Sequence, residues 1–263
     1  MPDIHVTSWS ELQDALFASS WRGDIARHRS PYLFRGSSTH PGDLRTSIQR
    51  TRLEKHEHHL LKHFRKYGQR TPVSGDSVWN WLALAKHHGL PTRLLDWTYS
   101  PFVALHFATA APAKFHLPGS VWCVDFAKAN DLLPPDVRRL LDDEEALNFT
   151  AEMLDRLARS LPQFDRIGAS EFVLFFEPPS LDERIVNQFA LFSVPSTVRL
   201  DLEEFFSTHP EILRRIVFPA ELKWEIRDKL DQANVTERVL FPGLDGLAAW
   251  LARYYSDAGQ KIV

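Results

Sequence analysis

Three short segments of this 263-residue chain carry polar side chains that a buried strand or helix does not require. In YLFRGSS, residues 32–38, Arg35 follows Tyr-Leu-Phe and precedes Gly36, which puts a fixed cation where a strand ends. Gly36 lets the backbone turn or lets a ligand come close. In TRLLDWTYS, residues 92–100, Thr98 and Ser100 stand at alternate positions. Residues i and i+2 of an extended chain face the same side, so both hydroxyls can point into one pocket. In RIVNQFALF, residues 184–192, Arg184, Asn187 and Gln188 precede an apolar run. A guanidinium, two hydroxyls and a carboxamide meeting in one cleft would hydrogen-bond a nucleotide-sized ligand.

Each of these residues also has a purely structural role open to it. Arg35 can pair with Asp43 or Asp96, and Arg93 with Asp96 three residues on. Thr98 or Ser100 can cap a helix that has Pro101 at its first position. His88, just before Gly89, suits a helix C-terminus.

The elements that would position these residues alternate between helix and strand. SWSELQDALFAS has a Ser cap and amphipathic spacing, which predicts a helix. PYLFRG reads as a strand ending at Gly36. Residues 52–67 and 76–88 read as helices, with breakers in QRTPVSGDS and Asp76 as the second cap. LLDWT is extended, and a helix runs from Pro101 to Ala110. GSVWCVDF, EFVLFFEP, QFALFSV and LRRIVFP are strand candidates, with a charged, Leu-rich helical insert over about 127–162. AELKWEIRDKLDQAN reads as helix, and RVLFPGLDGLAAWLARYY as a short extended piece followed by a helix. With no repeat and no low-complexity linker, residues 1–263 read as one α+β domain with a small mixed or antiparallel sheet core.

Composition narrows the function classes. Hydrophobic residues make up 44% of the chain, enough for a sizeable core, and the net charge of −3 provides no global attraction to nucleic acid or anionic lipid. A single cysteine, Cys123, excludes an intrachain disulfide framework and fits a reducing compartment. No signal-like leader and no membrane-length apolar run is present, so the expected location is cytoplasmic. Charge is nonetheless local. Residues 45–70 hold eight Lys/Arg and four His against two Glu, and Arg52, Lys55, His59, Lys62 and Lys66 share one helix face. Such a stripe is either solvated or binds phosphates.

Motif tests come back negative for the common chemistries. There is no GxGxxG opening a helix, no GxxxxGK[ST] and no GxSxG. HEHH at 56–59 lacks the second His of HExxH, because position 60 is Leu60. His59 and His63 are spaced for one metal, but no third ligand is specified, so no metal is expected. Cys123 lies in an apolar strand and reads as a core thiol.

YLFRGSS, HHGLPTRLLDWTYSPFVALHFA, RIVNQFALF and RVLFPGLDGLAAWL, in that order, resemble the FRG domain family, named for its Phe-Arg-Gly signature. The likeness runs from about residue 10 to residue 255. Beyond it lies a more distant similarity to ADP-ribosyltransferases of the Arg-Ser-Glu type. This implies a sheet core of that type, NAD as substrate, and Arg35, Gly36, Thr98 and Ser100 as residues that position it; His88 and Arg93, in the same HHGLPTR segment, complete the expected cofactor-binding set. Ala104, Phe107 and Ala108 match the helix that follows the Ser-Thr-Ser-like strand in those enzymes.

The third element departs from the pattern. Those enzymes carry a Glu before an apolar strand, and here Gln188 stands there. The resemblance implies Arg35 and Gln188 as catalytic residues. A carboxylate stabilises the positive charge that builds on ribose as nicotinamide leaves. Gln188 can accept a ribose hydroxyl bond but supplies no charge, a loss of about 3–4 kcal/mol in the transition state. Asp182, Glu183, Glu177 or Asp96 could substitute. The expectation is therefore an ADP-ribosyltransferase-like protein acting on a macromolecular acceptor, in toxin or phage-defence biology. The alternative is a non-catalytic module of the same fold that binds a nucleotide or nucleic acid.

Overall fold

Alternation along the apolar segments decides which side chains share a face. Leu33 joins Trp122, Val124 and Leu191 in one core cluster, while its neighbour Phe34 joins Val121, Cys123 and Ile216 in another. The segments around 32–37, 119–125 and 213–218 are thus apolar on both faces, which requires a sheet covered on both sides there. The computed structural model describes residues 3–68, 76–180 and 183–256.

Among the described residues, seven strands form one mixed sheet: β1 (Asp3–His5), β4 (Tyr32–Ser37), β5 (Leu95–Thr98), β6 (Gly119–Asp125), β7 (Val173–Phe176), β8 (Ala190–Pro195) and β9 (Leu213–Phe218). A separate small hairpin holds β2 (Trp21–Arg22) and β3 (Arg27–His28). The order across the sheet is β1-β9-β6-β4-β5-β8-β7, all antiparallel except the β1–β9 pair. β4 pairs with β6 over six residues, and β5 with β8 over four. Between β4 and β5 only Phe34 and Thr98 are in register. The sheet is therefore nearly split between its two central strands, beside the Arg35 end of β4.

Helices cover both faces. α1 (Trp9–Phe17) is capped by the Ser8 hydroxyl, which accepts from Glu11 N. α2 is Ser47–Arg50, and α3 (Glu57–Gly68) follows a 3₁₀ turn at Glu54–His56, so the helix expected over 52–67 starts five residues later. α4 (Val78–His87) is capped by Ser77, not Asp76. Asp76 is engaged elsewhere: its carboxylate accepts from Trp81 Nε1 and pairs with Arg65. α4 stops where Gly89 takes φ +81°, and Leu90 N returns to Ala85 O. α5 (Pro101–Ala108) has Ser100 as N-cap and Pro101 at its first position.

The insert is helical but divided into α6 (Phe126–Asn130), α7 (Pro135–Asp143), α8 (Ala151–Leu157) and α9 (Leu161–Phe164). Then follow α10 (Glu183–Asn187), α11 (Leu202–Ser207), α12 (Leu222–Gln232), α13 (Glu237–Leu240) and α14 (Leu244–Tyr254). The stretch before α14, expected to be extended, forms α13 instead. It is held by Glu237, whose carboxylate accepts from Arg227 and Arg253. The chain is a single α+β domain. No helix among the described residues is long and apolar enough to cross a membrane.

Cys123 is fully buried on β6, and burial pushes its thiol up to about 12. It behaves as a core side chain.

Candidate functional site

A cleft of about 620 Å³ opens where β4 and β5 separate. Its walls come mainly from the end of β4 with the loop that follows, β5, the C-terminal end of α4, and α10, with Arg50 of α2, Phe107 of α5, Lys114 and the start of β8 completing them. Arg35 bridges the split. Its Nη1 donates to Asp96 O at 2.9 Å and stands 3.9 Å from Asp96 Oδ2. No other described residue takes a bond from this guanidinium, so its remaining donors are unspent within the described residues. Burial, with Arg50 nearby, pushes the Arg35 guanidinium below its usual value, countered by Asp96 and Asp43.

Asp96 is half exposed on the cleft wall and receives Lys86 Nζ at 2.7 Å. Burial raises its carboxyl, but Lys86 and Arg35 outweigh that and hold it below the usual carboxylate range. Asp43 lies in the opposite loop, bridged by Arg45 and Arg50. Lys114 and Arg184 also line the cleft. Arg184 lies over the Phe241 ring at 4.8 Å. Five cationic side chains, Arg35, Arg50, Lys86, Lys114 and Arg184, thus face two carboxylates, Asp43 and Asp96. An excess of positive charge in a partly buried cleft selects an anionic ligand.

Thr98 and Gln188 meet on the far wall. Thr98 Oγ1 donates to Gln188 O at 2.7 Å and accepts from Ser100 N at 3.1 Å. The Gln188 side chain points away along α13: its Nε2 donates to Leu240 O at 2.9 Å. Beside it, Asn187 Nδ2 donates to Val239 O at 2.8 Å, so two carboxamides fasten α10 to α13. The chain then turns through Phe189 at φ +48°, a strained conformation for a bulky residue, before entering β8.

The structure brings Arg35, Gly36, Thr98 and Gln188 to one cleft, but not Ser100, His88 or Arg93. β5 ends at Thr98, so the i, i+2 alternation does not continue to Ser100. The Ser100 hydroxyl is spent on the α5 cap, accepting from Val103 N. His88 is exposed at the end of α4, against His87 and Phe64, and it is His87 that reaches the cleft. Arg93 is buried and fully committed, with Glu57 and Asp165 as ion-pair partners. Pairing between Arg93 and Asp96 does not occur, because Asp96 is held by Lys86.

Gly36 has a packing reason. A Cβ there would lie 1.9 Å from Ala104 O and 2.6 Å from Ala108 N, so its bare backbone is what lets α5 lie on β4. Of the candidate carboxylates among the described residues, Asp96 alone lines the cleft. Glu177 accepts from Tyr99 Oη at 2.6 Å, Glu183 is exposed, and Asp182 lies outside the described residues. Reading by segment passed over Arg50, Lys86 and Lys114, which reach the cleft from the ends of short helices. The signal for Arg50 was the Lys/Arg-rich character of 45–70 and for Lys86 the KHH preceding Gly89, while nothing around Lys114 marked it.

Among the described residues no group of three or more His, Cys, Asp or Glu converges as a metal site. Residues 30–116 match the FRG domain family. That stretch supplies β4, β5, α2 to α5 and most of the cleft's cations. No curated protein and no solved structure matches the chain.

Proposed function

We propose that the cleft binds NAD and that the protein is ADP-ribosyltransferase-like. The observation that carries this reading is the charge of the split: Arg35, with most of its donors unspent, sits among four further cations in a cavity of dinucleotide size. Its guanidinium fits a pyrophosphate, which it can engage through two parallel N–H bonds. Transfer would need a carboxylate near the ribose, and of the two on the described walls Asp43 is bridged by Arg45 and Arg50, which leaves Asp96 on β5 as the candidate. Its charge is shared with Lys86, which weakens what it can offer a developing cation.

One observation favours a second reading, a module that binds NAD without turning it over. Gln188 is neutral and its amide is tied to Leu240 O. Calorimetric titration with NAD and an assay for released nicotinamide separate the two. Arg35→Ala is expected to lower NAD affinity at least about tenfold, the loss of one charge-assisted pair, while circular dichroism stays native. Binding without nicotinamide release supports the second reading. Wild-type affinity in Arg35→Ala would overturn both.

A further inference from the structure

A second cleft, of about 390 Å³, lies between α3 and the turn into α9. Lys62, Arg65 and Lys66 enter it from one face of α3, and Arg159 from the other bank. The acid on its lining is Asp76, and that carboxylate is already taken by Arg65 at 2.7 Å and Trp81 Nε1 at 2.9 Å. Lys62, Lys66 and Arg159 are exposed and have no ion-pair partner among the described residues. Three uncompensated cations from two distant segments, in a protein of net charge −3, form a local positive site.

The helix face beside the cleft carries aromatic rings. Tyr67 is 78% exposed, which is unusual for a side chain with so much apolar surface. His63 stacks on it at 6.2 Å with an interplanar angle of 20°, and Lys66 Nζ lies 5.7 Å from its ring centre. Cations along a groove with an open ring at its edge are what a flexible phosphodiester chain with unstacked bases requires. A bilayer is flat and would reach only the rims of this concavity.

We infer that the α3 cleft binds single-stranded nucleic acid, with Lys62, Lys66 and Arg159 on successive phosphates and a base stacked on Tyr67. This site is separate from the central cleft and does not depend on NAD binding there. The test is fluorescence anisotropy of labelled single-stranded RNA and DNA oligonucleotides, titrated with the full chain at several salt concentrations. Three phosphate contacts predict that log K falls with log salt with a slope of about 2. Lys62→Glu/Lys66→Glu is expected to abolish binding at low salt with an unchanged circular dichroism spectrum. Tyr67→Ala should weaken binding about fivefold or more without changing the salt slope, because stacking releases no counterion. Excess NAD should not displace the oligonucleotide. No binding at low salt, an unaffected double variant, or capture of phosphatidylserine vesicles but not oligonucleotides would each overturn the inference.

Discussion

Replacing Gln188 by the Glu of the transferases has a cost that the cleft makes visible. The Gln188 amide donates to Leu240 O at 2.9 Å. A carboxylate there turns a donor into an acceptor facing an acceptor, leaving the carbonyl of buried Leu240 without this donor. Gln188→Glu is expected to lower stability by about 1–3 kcal/mol, read as a shift of the urea midpoint, instead of simply restoring chemistry. An unchanged midpoint would mean the Leu240 bond contributes nothing in solution. Sequence alone gave no access to this, since Leu240 is 52 residues away and lies in a segment expected to be extended. Arg35, Thr98 and Gln188 were legible as cleft-lining positions because each stands in or just before a strand next to a turn signal. Arg93 looked the same in sequence. Only the arrival of Glu57 and Asp165 from 36 and 72 residues away shows that its charge is structural.

The contact of α5 with β4 is the joint on which the cleft depends. With Ala104 O where a Cβ at Gly36 would sit, Gly36→Ala forces the helix off the strand. The expected outcome is a loss of about 1–3 kcal/mol, together with weaker binding of the NAD proposed for the cleft, because α5 follows directly from Thr98 and Ser100. Wild-type stability in Gly36→Ala would show that the helix shifts freely. Strand positions were readable from runs of apolar residues, and α5 from Ser100-Pro101. The order of the sheet was not readable, because β4 takes its partners from 95–98 and 119–125 and no local signal records pairing. Asp76 and Ser77 are both good caps by type, and the choice between them was made by Trp81 and Arg65.

On the scale of the whole molecule, the C-terminal helices are locked to α5 by buried charge. His106 is 1% exposed and its Nδ1 accepts from Arg227 Nη1 at 3.0 Å. Burial, then the neighbouring Arg227, bring the imidazole down to about 3, with Arg253 adding to the effect and Glu237 opposing it. Between pH 6.5 and about 3 the unfolded chain binds a proton that the folded chain refuses. Stability must therefore fall as pH is lowered through that window, by up to about 1.4 kcal/mol per pH unit. Glu237 acts in the same direction at lower pH. Burial raises it, but Arg253 and Arg227 hold it down to about 2, so its contribution is present above 4.5 and lost towards 2. A melting series is expected to decline steadily from pH 6.5 to 4, and a flat profile would contradict a neutral buried His106.

The near-split between β4 and β5 also governs the order in which the molecule can be made. β4 finds its longer partner only when β6 has emerged, and β5 must wait for β8 at Ala190–Pro195. Those two central strands are held together by a single residue pair, so neither shelters the other in the meantime. At ordinary ribosomal speeds of about 5–20 residues per second, β5 stays one-sided for roughly 5–20 s of synthesis. The two strands of the stretch that matches the FRG domain, Tyr32–Ser37 and Leu95–Thr98, therefore leave the ribosome with open edges, and the cleft between them can close only after the second half of the sheet has been made.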